Sequence, residues 1–154
     1  MNHVAAAKQI LDTMLGYLGF VVEIEIDTSR PDPCLQVSTS EGDVLIGRYG
    51  DRLDDIQYLV NRLLQNQDAT APRIRVDINF YRSMNEDKLV EEAERLAQRV
   101  LNTGKPVKTR PLNSYHRRIV HNHFEGNDKL STFSPKGQER LKQIEISLKK
   151  DEKE

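Results

Sequence analysis

Leu45-Ile46-Gly47-Arg48-Tyr49-Gly50-Asp51-Arg52-Leu53 is the stretch on which the fold turns, and its centre is a Gly-x-x-Gly tetrapeptide. Short apolar Val44, Leu45 and Ile46 precede it, and Leu53, Ile56, Leu59, Leu63 and Leu64 follow at helical spacing. The pattern predicts a tight loop joining a short helix to a long one. Glycine at each end opens backbone conformations closed to other residues and lets another backbone come near. Free N–H groups at the helix start after Gly50 suit a phosphate, and Arg48 adds a mobile cation at the tip. Alone the tetrapeptide is a weak signal, because about one residue in fourteen is glycine. A plain helix–helix turn competes with a nucleic-acid loop until the neighbouring elements are read.

Upstream, Val4, Ala7, Leu11, Met14, Leu15 and Leu18 make one helical stripe. Phe20 to Ile26 then alternates, with Phe20, Val22, Ile24 and Ile26 on one face of a strand. A turn at Ser29 to Pro33 leads to a second strand over Cys34 to Thr39, and Ser40 is placed to cap the short helix. Downstream, Arg73 to Phe80 alternates strictly and directs Ile74, Val76, Ile78 and Phe80 to the core. Ser83-Met84-Asn85-Glu86 reads as a capping box ahead of a helix with the stripe Leu89, Ala93, Leu96, Ala97, Val100 and Leu101, closed by Gly104 and Pro106. Lys105 to Pro111 is extended. Leu112 to Phe124 is a further helix, predicted to set Leu112, Tyr115, Ile119 and His123 on its apolar side and Ser114, Arg117 and His121 opposite. Arg117 and His121, four apart, project together. Leu130 to Ser134 and Gln143 to Ile146 have the character of closing strands.

Composition narrows the function. The chain has 154 residues, 37% apolar and 31% charged, no tryptophan and a mean hydropathy of -0.65, which points to a soluble protein. No segment nears the roughly 20 apolar residues of a membrane span. The first residues lack the signal-peptide pattern, so a cytoplasmic location is expected and no membrane insertion. The single Cys34 forms no internal disulfide and reads as a buried thiol. A net charge of -1 excludes a uniformly basic nucleic-acid binder, but Lys105 to His123 holds five Lys or Arg and no acid. The acids collect in Glu86 to Glu94 and in the 151–154 tail, a solvated end. An ordinary solvated helix face mixes both signs, which sets the basic segment apart. Zinc at His116, His121 and His123 is not expected: no cysteine is near and the three side chains diverge. Asp54 and Asp55 are surface charges, and no nucleophile–base set or phosphate loop ending in Gly-Lys-Ser/Thr is present. The sequence thus calls for no enzyme, no metal and no cofactor.

The order helix, strand, strand, short helix, Gly loop, long helix, strand over residues 3–82 closely resembles a type II KH domain (αββααβ). Leu45 to Gly50 with Leu53 to Leu59 resembles in particular the KH domain of the bacterial Jag (KhpB) family. The usual loop there carries two basic residues; here Tyr49 takes the second place, where it can stack on a base. Arg117-x-x-x-His121, preceded by Leu112-Asn113-Ser114-Tyr115, closely resembles the signature of the R-x(3)-H domain. An acidic residue is common in that family where His116 stands. KH followed by R-x(3)-H is the Jag architecture, and the combination is more specific than either motif. The resemblance implies an α+β fold with a KH domain at 1–83 and a small α/β single-stranded nucleic-acid-binding domain, including its leading helix, at 84–154. Longer members carry a further N-terminal domain and linker, not seen in this sequence, so membrane-insertase or cell-wall links are not expected here. Pattern and resemblance together select Ile46, Gly47, Arg48, Tyr49, Gly50 and Arg52 in the first domain, and Lys108, Arg110, Asn113, Ser114, Arg117, Arg118 and His121 in the second. The expected partner is single-stranded RNA, or single-stranded DNA, and the resemblance adds a second KH protein. A scaffold whose basic segment docks an acidic protein is the alternative, and an accessory subunit of a nuclease or ATPase is the weaker third. Only a phosphate ligand gives an affinity that falls steeply with salt.

Overall fold

Residues 2–150 are described by a computed structural model, so the 151–154 tail lies outside the described residues. The chain divides into two units, Met1–Arg82 and Ser83–Glu154. In the first, α1 (His3–Tyr17), β1 (Glu23–Asp27), β2 (Cys34–Ser38), α2 (Gly42–Ile46), α3 (Asp51–Gln67) and β3 (Arg75–Ile78) follow in the KH-like order. The sheet order is β1-β2-β3, with β1 antiparallel and β3 parallel to β2. As the central strand, β2 buries Cys34, Leu35, Gln36 and Val37, so both of its faces are covered. Burial pushes the Cys34 thiol up, away from reactivity.

The core of this unit joins Ala7, Leu11 and Leu15 of α1 to Leu53, Ile56, Val60 and Leu64 of α3 and to Ile24, Leu35, Val37, Val76 and Ile78 of the sheet. The stripe of α3 therefore runs through Val60, and the predicted Leu59 and Leu63 are outside it, half exposed. Leu18 and Ile26 are exposed as well. Phe80 is not a core residue. Asn79 and Phe80 both take positive φ and turn the chain out of β3, which ends the alternation at Ile78. Two cap expectations are also corrected. Glu41, not Ser40, stands before α2 and makes no side-chain cap bond. Tyr81, not a residue after Ser83, opens the next helix, because the buried Asp77 carboxylate accepts the Arg82 N–H at 2.9 Å and starts the helix early.

That helix, α4 (Tyr81–Thr103), supplies Leu89, Ala93, Ala97 and Val100 to the second core. It is followed by β4 (Val107–Lys108), α5 (Ser114–Phe124), β5 (Leu130–Phe133) and β6 (Glu145–Leu148). The strands form an antiparallel sheet of order β4-β6-β5. Ile144 and Ile146 meet Leu112, Val120 and Phe124 in this core. On α5 the buried residues are Val120 and Phe124, while Tyr115 is half exposed, so the apolar side lies about 100° from the predicted one. Val120 rather than Ile119 anchors the helix because Leu112, used to set the predicted face, precedes the helix. Among the described residues no helix is long and apolar enough to cross a membrane.

Candidate nucleic-acid interface

The Gly47–Gly50 loop is built as a projection. Gly47 (φ 74), Tyr49 (φ 56) and Gly50 (φ 80) all use left-handed backbone, and a Cβ at Gly47 would come 2.2 Å from Asp51 Oδ1. Gly50 is buried with the Tyr81 ring above it, where an added Cβ would meet Cε1 at 3.0 Å. This anchors one end of the loop and leaves the tip outside. Tyr49 is 88% exposed, and the Arg48 guanidinium lies 5.6 Å from its ring centre. Ile46 is partly buried against the core.

Two donors at the start of α3 that the sequence offered to a phosphate are already used. The Asp51 N–H goes to Arg48 O, and the Arg52 N–H goes to Asp51 Oδ1 at 2.7 Å. The Arg52 side chain turns back to donate to Val44 O at 2.9 Å. Arg52 is thus a brace between α3 and α2, and Arg48 is the cation the loop presents outward. Beside the brace a groove of about 260 Å³ is lined by Leu18, Phe20, Val44, Leu45, Ile56 and Leu59, with Arg52 and Asp55 at its margin. Exposed Leu18 and half-exposed Val44 and Leu59 are its walls.

In the second unit Arg117 and His121 do project together, on the flank of the buried face rather than opposite it. Arg117 lies about 60° from Val120 and His121 about 60° from Phe124 around the helix. Arg117 Nη1 donates to Leu112 O at 2.7 Å and Arg140 O at 3.5 Å. His121 Nδ1 shares a 2.7 Å hydrogen bond with Thr132 Oγ1 of β5. Burial, then the Arg117 charge, hold the His121 pKa below its ordinary value, so the ring is neutral near pH 7. Asn113 is the N-cap of α5, its Oδ1 accepting the His116 N–H at 2.8 Å. Arg110 pairs with Glu92 at 3.1 Å, Tyr115 donates to Glu86, and His123 bonds Glu94. The acids of α4, distant in the sequence from the basic segment, therefore fold against it. Ser114, Arg118 and Lys108 remain exposed.

Residues 87–148 match the family model described as the R3H domain. The RNA-binding protein KhpB of Clostridium symbiosum is 29% identical over 147 residues, which cover 94% of this chain and 66% of that protein. Two further proteins of that name, from Lactiplantibacillus plantarum and Bacillus subtilis, are each 25% identical, over 94% and 87% of this chain. The chain is thus similar to KhpB proteins over most of its length. It spans 66%, 46% and 65% of the length of these three relatives, less than two thirds in each case. Within the chain, the groove walls are the feature the sequence reading missed. Their signal was the apolar excess on α3, where Leu59 and Leu63 widen the stripe beyond what the core at Ile56, Val60 and Leu64 uses.

Proposed function

We propose that this chain is a non-catalytic single-stranded RNA-binding protein that grips its ligand first at the Gly47–Gly50 loop. The observation that carries this reading is the apolar groove opening beside a loop with an outward cation and an outward aromatic ring. Unstacked bases are covered by apolar walls, a phosphate is met by Arg48, and Tyr49 offers a stacking face. An apolar groove beside a cation is specific to neither a plain helix turn nor a docked acidic protein. The name of the KhpB relatives, RNA-binding protein, supports RNA as the ligand. A second contact falls to the other unit, where Lys108 of β4 and Ser114 and Arg118 of α5 are exposed and Arg117 with His121 hold α5 in place.

The test is binding of the full chain to single- and double-stranded RNA and to single-stranded DNA at two salt concentrations. Tightest binding to single-stranded RNA, falling steeply with salt, is expected. Two linked weak sites gain on the order of 10²-fold through effective concentration, so a long strand should bind better than one too short to reach both. Affinity for nucleic acid that is negligible at low salt would move the chain to the protein-docking alternative.

A further inference from the structure

The register of the second sheet sorts its side chains into two faces. Val107 and Thr132 both pair with Ile146, which is buried, and successive side chains point to opposite faces. Lys108, Glu145 and Phe133, paired across the same three strands, therefore form one row on the other face. With neighbouring strands about 4.8 Å apart, Lys108 and Phe133 stand about 10 Å from each other with Glu145 between them. Phe133 is 60% exposed. In front of the row lies a cleft of about 370 Å³ whose far wall is formed by Glu139, Leu141 and Gln143. Lys142 Nζ donates to Pro135 O at 3.1 Å and Gly137 O at 2.6 Å, which ties that wall in place before any ligand arrives.

The chemistry of the cleft is mixed. Phe133 offers a flat apolar ring, Glu145 and Glu139 only accept hydrogen bonds, and Lys108 only donates. Two carboxylates repel a bare phosphate or an acidic peptide. A nucleobase bearing an exocyclic amino group uses every component: its ring lies on Phe133, its amino hydrogens go to a carboxylate as cytosine N4 gives to Glu, and Lys108 takes a ring or phosphate acceptor. Uracil has no amino group to give.

We propose that this outer sheet face is a nucleobase subsite that selects amino-bearing bases over uracil, an inference that rests on the RNA-binding function proposed above. Affinities of the full chain for oligo(C), oligo(A) and oligo(U) of one length test it, by fluorescence anisotropy. The wild type should prefer C and A to U. Phe133→Ala should weaken binding to C about tenfold, within the range of a lost base–aromatic stack. Phe133→Trp should retain it, and Glu145→Gln should reduce the C-over-U preference. Phe133→Leu keeps an apolar side chain of similar size, so it isolates the ring should the alanine variant melt early. Equal wild-type affinity for C and U, or Phe133→Leu binding C as tightly as wild type, overturns the subsite and leaves the RNA-binding function standing. A wild type that binds none of the three overturns both.

Discussion

Arg48 stands at the tip of its loop with an exposed tyrosine alongside, whereas Arg117, an equally prominent cation in the sequence, donates into carbonyls of its own unit. The difference comes from the elements that carry them. A loop held by left-handed glycines, one of them pinned under Tyr81, pushes its side chains outward. A helix residue three positions from buried Val120 is turned toward the core, and its guanidinium finds the nearest carbonyls. A cation in a motif can thus serve the ligand directly or build the surface that serves it. Substitution separates the two, since the first changes affinity alone and the second changes stability.

The largest effect is expected at the loop. Replacing both Arg48 and Tyr49 by Asp removes one charge-assisted contact and adds two like charges beside a phosphate, which should lower RNA affinity on the order of 10²-fold. Both side chains are exposed, so the thermal midpoint should stay at the wild-type value. A double variant with full affinity would remove the loop from the interface. Next in size is Arg117→Ala. Loss of the bonds to Leu112 O and Arg140 O should destabilise the second unit by about 1.5–3 kcal/mol, read by denaturant unfolding. Unchanged stability with a reduced salt slope of binding would return Arg117 to the phosphate and erase the contrast with Arg48.

Much of this arrangement was legible in the sequence, and the failures share a cause. The order of elements in the first unit follows from periodicity, Gly and Pro positions and turn chemistry. What was misread depended on partners from elsewhere in the chain. Phe80 leaves the core because the chain turns at Asn79, whose side chain holds Thr39, forty residues away. Ser83 is not a cap because Asp77, far from it in the local pattern, already serves the helix start. The basic segment from Lys105 to His123 is acid-free in sequence and acid-lined in space, because α4 brings Glu86, Glu92 and Glu94 to it. Leu59 was assigned to the core because a groove wall and a core residue are both apolar at helical spacing.

Asn113 sharpens the comparison on a smaller scale, since the sequence offers it as a ligand contact and its side chain caps α5. Asn113→Ala should cost about 1 kcal/mol of second-unit stability, and Asn113→Asp, which keeps an accepting oxygen, should recover most of it. RNA affinity measured where both variants are folded should match wild type. A loss of affinity shared by the alanine and aspartate variants would show that the amide itself reaches the ligand.

The smallest effect is a pH dependence that comes from the same buried flank. His121 is held neutral in the folded chain by burial and by Arg117, so its folded pKa lies below the unfolded value of about 6.5. Over the interval between the two values the unfolded chain binds more protons, and stability rises with pH there. The contribution of a neutral His121 is therefore complete above about pH 6.5 and declines as pH falls through the folded pKa. Asp68, whose pKa is lowered chiefly by its hydrogen bond to His3, changes stability only below the ordinary carboxylate range, so it does not overlap this interval. His121→Gln removes the titration while keeping a polar side chain near Thr132. The wild-type thermal midpoint should fall more steeply than that of the variant between about pH 7 and pH 5, and the two profiles should run parallel above that interval. A variant whose midpoint falls as steeply as wild type would mean that His121 titrates as an exposed histidine, and that Arg117 and His121 face solvent as Arg48 does.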